Sequence, residues 1–117
     1  MQKNIISKEN IIKYTWGNEC FGWRLVDTDE LSIIEEEMPA NTEEKFHYHV
    51  KANQFFYIHE GTATFIVEDE VEIVAANKGF LISAGKKHKI QNNTGQSLKF
   101  LVISQPTTKN DRNETNL

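Results

Sequence analysis

The stretch "KFHYHVKANQFFYIHEG", residues 45–61, decides how this chain is read. If it runs as extended strand, side chains alternate between faces, so His47 and His49 point one way while Phe46, Tyr48 and Val50 point the other. The two imidazoles then stand about 7 Å apart along the strand, close enough to converge on one ion. A bare His-x-His is more often a pair of half-exposed strand residues than a metal site, so its company matters. After four intervening residues Gln54 opens a second apolar run, in which Phe56 and Ile58 share its face. Its amide oxygen is thereby available beside the two imidazoles. Far downstream His88 follows Gly85 by three residues and opens another alternating run.

Working outward, the same period of two continues through most of the middle of the chain, and long segments with a 3.6-residue period are lacking. Strands are expected at Gly22 to Val26, Leu31 to Met38, Lys45 to His49, Gln54 to His59, Thr62 to Val67, Val71 to Ala75, Phe80 to Ser83, Lys87 to Gln91 and Leu98 to Ser104. Turn signals separate them, among them Pro39-Ala40-Asn41, Glu60-Gly61, Asn77-Lys78-Gly79 and Asn92-Asn93-Thr94-Gly95. Many short strands with frequent turns predict a sandwich or barrel. The ends read differently. Residues 1–20 are polar with scattered isoleucines, and Ser7 to Asn10 either caps a short helical turn or runs extended along the barrel. The segment from Pro106 to Leu117 is almost wholly polar and is expected to be flexible. The plan is an N-terminal extension over 1–20, one barrel over 21–105 and a polar tail over 106–117.

Composition narrows the partners. A chain of 117 residues with 38% hydrophobic and 26% charged residues fits one core. Its formal net charge of -4 provides no basic field for nucleic acid, and Lys86-Lys87-His88-Lys89 reads as a solvated turn. No apolar run is long enough to cross a membrane, and the start lacks a basic-then-apolar pattern, so a cytoplasmic location is expected. Cys20 is the only cysteine, which rules out an intrachain disulfide and a thiolate cluster for zinc. Any metal must therefore use histidine, carboxylate or amide ligands. Trp16, Phe21 and Trp23 surround Cys20 just before the barrel; with the exposed edge strands of a small barrel, they predict a homodimer.

The spacing His47-x-His49-(x4)-Gln54-(x6)-Gly61 resembles the first motif of the cupin superfamily, and Gly85-Lys86-Lys87-His88 followed by Asn92 resembles the second. Three departures stand out: the family usually has glutamate where this chain has Gln54, and proline where it has Ser83. Gly79 also lies closer to Gly85 than is usual, as though the segment had shortened or Asn77 had taken over the turn. The resemblance implies an all-β, single-domain, jelly-roll-like barrel of the double-stranded β-helix type. It also implies one divalent transition metal ion, zinc, iron, nickel, copper or manganese, held by His47, His49, Gln54 and His88. Phe56, Phe65 and Ile90 are the inward residues expected to line a substrate pocket, whereas Tyr57 and His59 have the opposite parity and face away. Cupins share a barrel across many chemistries, so the resemblance identifies a site rather than a substrate. It implies a metal-dependent enzyme or enzyme-like protein acting on a small oxygenated or anionic metabolite. A non-catalytic sugar- or metabolite-binding cupin is the alternative, and an isomerase-like cupin acting on a sugar phosphate, with Lys86, Lys87 and Lys89 meeting the phosphate, is a third reading.

Overall fold

The alternation of β-branched and aromatic residues with polar ones becomes a set of twelve strands in the computed structural model, which describes residues 4–116. Residues 1–3 of the expected extension and Leu117 of the expected tail lie outside the described residues. The strands are β1 (Tyr14–Trp16), β2 (Cys20–Asp27), β3 (Ser32–Met38), β4 (Thr42–Glu43), β5 (His47–Tyr48), β6 (Asn53–Glu60), β7 (Thr62–Val67), β8 (Glu70–Ala75), β9 (Gly79–Ile82), β10 (His88–Asn92), β11 (Leu98–Gln105) and β12 (Asn113–Glu114). No helix occurs among the described residues. One sheet has the order β1-β2-β3-β11-β6-β9 and the other β12-β5-β10-β7-β8, with β4 also on β10. Every pairing is antiparallel, and the two sheets enclose a jelly-roll-like barrel.

Register explains which side chains meet inside. Across β11 and β6, Ser104 lies opposite Gln54, Val102 opposite Phe56 and Phe100 opposite Ile58. Because strand parity is fixed, all six point to the same interior, and all six are buried. Phe56, Phe65 and Phe100 pack ring against ring, with centroids 5.0 and 5.9 Å apart for the two pairs that include Phe56. Met38, Ile58, Ala63, Val74, Ile82, Ile90 and Leu98 complete this core. Such a cluster is the main favourable term in folding a domain of this size.

Two turns carry specific backbone demands. Gly61 has φ +87°, and a Cβ there would lie 2.6 Å from the Ser97 carbonyl oxygen, so only glycine fits between β6 and β7. Before β9 the left-handed position is taken by Asn77, at φ 68°. Its N–H donates to Ile58 O at 2.7 Å, while Ile58 N–H donates to Lys78 O at 3.0 Å. Asparagine tolerates this conformation better than other side-chain-bearing residues, and Asn77 serves the turn that the sequence spacing left in question.

The chain ends depart from the sequence expectation. Part of the extension joins the sheet, since β1 pairs with β2 from Tyr14↔Gly22 to Trp16↔Cys20. Ser7 to Asn10 form a single turn, closed by Asn10 N–H on Ser7 O at 3.1 Å. The polar segment after Pro106, expected as a free tail, instead folds back along the barrel. Asn113 and Glu114 pair with Tyr48 and His47, and Thr115 N–H donates to Phe46 O at 3.0 Å. Composition failed here because the segment is held by polar and backbone groups rather than by apolar burial.

Candidate metal centre

The pairing His88↔His47 between β10 and β5 sets the two motifs side by side, and Gly85 N–H donates to His49 O at 2.7 Å across them. Ring centroids of His47 lie 4.9 Å from His49 and 4.4 Å from His88; those of His49 and His88 are 5.7 Å apart. One ligating atom from each of the three lies within 4.8 Å of the others. All three are buried, at 2%, 4% and 1% relative exposure for His47, His49 and His88.

Each ring is oriented by a backbone carbonyl. His47 Nδ1 donates to Lys45 O at 2.8 Å, His88 Nδ1 to Lys86 O at 2.8 Å, and His49 Nδ1 to Asp111 O at 2.7 Å. A carbonyl only accepts, so each Nδ1 carries the proton and each Nε2 presents a lone pair. Burial pushes His47 down to about 3, with the Arg112 guanidinium and His88 acting in the same direction. Burial likewise brings His88 to about 4 and lowers His49, against the opposing pull of the Asp111 carbonyl. At neutral pH the three imidazoles are uncharged and able to ligate. His49 Nε2, His88 Nε2 and Gln54 Oε1 are buried without any hydrogen-bond partner.

Gln54 reaches the centre from the opposite sheet. It is buried beside His49, and its amide Nε2 donates to Ser104 Oγ at 3.2 Å, which turns Oε1 inward. Asn92, the other amide in the motif, contrasts with it. Its Nδ2 donates to Met38 O, Pro39 O and Gln96 O, and its Oδ1 accepts from Thr94, so it ties two turns together and has nothing left for a ligand.

The centre opens into a cavity of about 1200 Å³ lined by both sheets and by the C-terminal segment. Phe56 and Ile90 are among the residues that line it. Phe65 does not: it is fully buried, stacked at 4.6 Å on Phe80 and at 5.0 Å on Phe56, and belongs to the core one layer deeper. Trp16 also faces the cavity, with its indole N–H on Phe21 O at 3.0 Å. Trp23 is covered by the Lys8 ammonium, 4.5 Å above its ring. Cys20 is buried and unpaired, and burial holds its thiol above its ordinary range. Tyr57 and His59 pair with each other away from the cavity, at 5.5 Å.

Several polar wall residues had no motif to mark them. Glu36 and Glu44 face the cavity with Tyr14, Arg24 and Arg112. Burial, reinforced by the nearby Glu44 charge, lifts the Glu36 carboxyl to about 8. Tyr14 O–H donates to Glu36 Oε2 over a long 3.4 Å. The phenol reaches that far only because Gly22 has no side chain, since a Cβ there would lie 2.4 Å from the Tyr14 ring. Burial also lifts Glu44 to about 7, against the pull of Arg112. Parity alone identifies Glu36, because three consecutive glutamates in a strand must send at least one inward, and Glu36 shares its face with Ile34 and Met38. Nothing comparable marks Asp111 and Arg112, which lie in a polar segment without alternation.

Residues 34–104 match the family model for the cupin domain, and the chain belongs to the cupin family. A search of curated protein sequences returned no significant match. Among solved structures it is similar to a predicted oxalate decarboxylase from Thermotoga maritima, with 17% identity, a TM-score of 0.80, and 88% of this chain and 99% of that chain covered. It is similar to the polyketide cyclase RemF from Streptomyces resistomycificus at 21% identity and TM-score 0.79, covering 100% of this chain and 87% of that one. A sugar phosphate isomerase of the cupin superfamily from Silicibacter pomeroyi shares 17% identity at TM-score 0.75, covering 88% and 76% of the two chains. At these identities the likeness establishes the fold and leaves the chemistry to the residues of this chain.

Proposed function

We propose that the chain is a metal-dependent enzyme, or enzyme-like protein, that acts on a small oxygenated, anionic metabolite, with His47, His49, Gln54 and His88 holding one divalent transition metal ion. The observation that carries this reading is the convergence of three buried, unpartnered acceptor atoms, His49 Nε2, His88 Nε2 and Gln54 Oε1. Orphaned buried acceptors are costly, and a cation relieves all of them at once. Neutral nitrogen donors with one amide oxygen suit zinc, iron, nickel or copper better than magnesium or calcium. When bound, such an ion supplies Lewis acidity toward a ligand oxygen.

The chain's own groups supply the rest. The carbonyls of Lys45, Lys86 and Asp111 hold the three rings in the ligating tautomer. With no carboxylate in the donor set, the metal's charge is left for an anionic ligand; Arg24 and Lys109 add positive charge to the cavity wall, whereas Lys89 is paired with Glu43 and Arg112 with Glu44 and Glu114. Glu36, protonated at neutral pH and held by Tyr14, offers a proton or a hydrogen bond to a ligand oxygen. Gln54 cannot act as a base, so acid-base work falls to the carboxyls across the cavity. Phe56, Ile90 and Val102 limit the access of water.

The test is to load the protein with cobalt and follow its visible spectrum while titrating oxalate, then a panel of hydroxy acids, oxo acids and sugar phosphates, with products followed by NMR. Spectral change with turnover of a panel member supports the enzyme reading. Binding without turnover favours the non-catalytic metabolite-binding alternative. Turnover confined to sugar phosphates selects the isomerase-like reading, which the structural likeness to a sugar phosphate isomerase keeps in play. A spectrum indifferent to every anion removes the proposal.

A homodimer belongs to the same reading. Trp16 and Trp23 are engaged within the chain, so support for pairing comes from Phe55 and Leu81, exposed cross-strand neighbours on β6 and β9 at 38% and 65% exposure. Light scattering at micromolar concentration should give twice the chain mass. No helix among the described residues is long and apolar enough to cross a membrane.

A further inference from the structure

The C-terminal segment is tied to the centre most closely through Asp111. Asp111 is buried at 9% exposure although it lies in a wholly polar stretch. Its backbone carbonyl takes the Nδ1 proton of His49 at 2.7 Å. Its carboxylate accepts from Val50 N–H at 2.8 Å through Oδ1, and from Lys51 and Ala52 N–H at 3.0 and 3.1 Å through Oδ2. These three amides belong to the loop that leads from His49 to Gln54. One residue thus fixes the ring of one ligand and the connection to the next. Those three hydrogen bonds hold the Asp111 carboxyl below its usual range against the cost of burial.

The residues that follow close the wall. Arg112 reaches Glu44 at 3.7 Å and Glu114 at 3.6 Å, and β12 then pairs with β5, the strand that carries His47. If the segment lifts away, His49 loses its ring partner, three amides lose their acceptor and the cavity loses Arg112. Conversely, a metal that requires His49 Nε2 in a fixed direction favours the docked segment.

We propose that metal uptake by His47, His49 and His88 and docking of residues 106–116 are one coupled equilibrium, with Asp111 as the positioning residue that couples them. The inference rests on the metal reading above. Coupling of this kind is reciprocal: the segment tightens the metal by the same factor by which the metal tightens the segment. Loss of a group that orients a metal-bound histidine typically weakens affinity about 10- to 100-fold, and that is the range expected here.

The experiment uses the full chain with zinc as probe, and compares wild type with Asp111→Ala and Asp111→Asn. The asparagine variant keeps the size of Asp111 but places an NH2 group where one carboxylate oxygen accepts from loop amides, so it loses at least one of the three loop hydrogen bonds with little change in volume. Three quantities are read: zinc affinity by competition with a chromophoric chelator, the His49 tautomer by ¹⁵N NMR of the metal-free protein, and hydrogen exchange at Val50, Lys51, Ala52 and Thr115 with and without zinc. The expected result is a wild-type His49 protonated at Nδ1, slower exchange at the four amides when zinc binds, and zinc binding about 10- to 100-fold weaker in both variants. Wild-type exchange that ignores zinc overturns the coupling even if neither variant folds, and so do variants that bind zinc within about twofold of wild type. Wild type that binds no zinc removes the metal reading, and the coupling with it, which separates that failure from the other two.

Discussion

The two ends of the barrel interior are built on the same strands and share almost nothing in chemistry. Along β6 the inward stripe runs Gln54, Phe56, Ile58; along β11 it runs Ser104, Val102, Phe100, Leu98; along β10 it runs His88, Ile90, Asn92. At one end these stripes supply apolar groups that fill the space between the sheets, and the one buried amide there, Asn92, is fully engaged with backbone carbonyls and Thr94. At the other they supply polar atoms, some left without partners inside the protein. The difference teaches that the lattice of strand positions determines where a side chain points, while the residue at each point decides whether that position serves folding or binding. A change at one end should therefore leave the property of the other end largely intact.

The largest effect expected at the apolar end comes from Phe65→Ala. It opens a cavity between Phe56 and Phe80 and should cost about 3–5 kcal/mol in denaturant unfolding. Metal stoichiometry of the folded fraction should stay the same; loss of metal in a variant that still folds would break the separation of the two ends.

Acid attacks the polar end alone. In the metal-free protein His47 and His88 have folded values near 3 and 4, well below the 6.5 of an unfolded histidine. Between those limits the unfolded chain binds protons that the folded chain refuses, so stability is complete above pH 6.5 and falls as pH drops. The two histidines together should cost about 6 kcal/mol between pH 7 and 4, against which Glu36 and Glu44, whose raised carboxyls take up protons in the folded chain over the same range, work in the opposite direction; urea unfolding at each pH reads the net slope. Replacing His88 by Gln should flatten the curve, and an unchanged slope would place the acid sensitivity elsewhere.

Gln54→Glu sharpens the comparison at the boundary residue. Ser104 Oγ now accepts from the Gln54 amide, and its hydroxyl can turn to donate to a carboxylate instead. An added negative charge should tighten a divalent ion about tenfold by calorimetry and lower the melting temperature of the metal-free form. A variant that binds no more tightly, and melts lower even in excess metal, would exclude Gln54 from the donor set.

The effect of opposite sign is expected at Glu36. Its folded value of about 8 lies above the 4.5 of an unfolded glutamate, so its contribution is complete below pH 4.5 and is lost as pH rises through 8. Glu36→Gln removes that penalty and should raise stability at pH 9 by several kcal/mol, with about 5 as the upper limit set by the shift, while changing little at pH 5. Equal effects at both pH values would mean that Glu36 titrates as an ordinary carboxylate.

Most of the barrel was legible because a strand's period of two is written directly in where apolar residues fall. Parity placed Phe56, Ile58 and Ile90 inward and Tyr57 outward, and motif spacing brought His88 to His47 despite Ser83 and the shortened turn, where Asn77 supplies the left-handed residue. Parity says nothing of depth, which is why Phe65 was assigned to the pocket and belongs to the core. The expectation also missed β1 and β12, two short strands flanked by polar residues that are held by backbone pairing and side-chain hydrogen bonds rather than by an apolar stripe. Asp111 is the clearest case: its carboxylate serves three backbone amides and its carbonyl one imidazole, partners that no pattern of side chains announces.

The central claim is that the polar end is a metal centre built on three histidines and one glutamine. The most direct measurement is elemental analysis of untagged wild-type protein and of His49→Ala, purified identically without added metal and then again after incubation with zinc and desalting. One retained transition-metal ion per wild-type chain, and none in the folded variant, is the predicted result. Equal metal in both proteins, or none in wild type even after loading, would contradict the account.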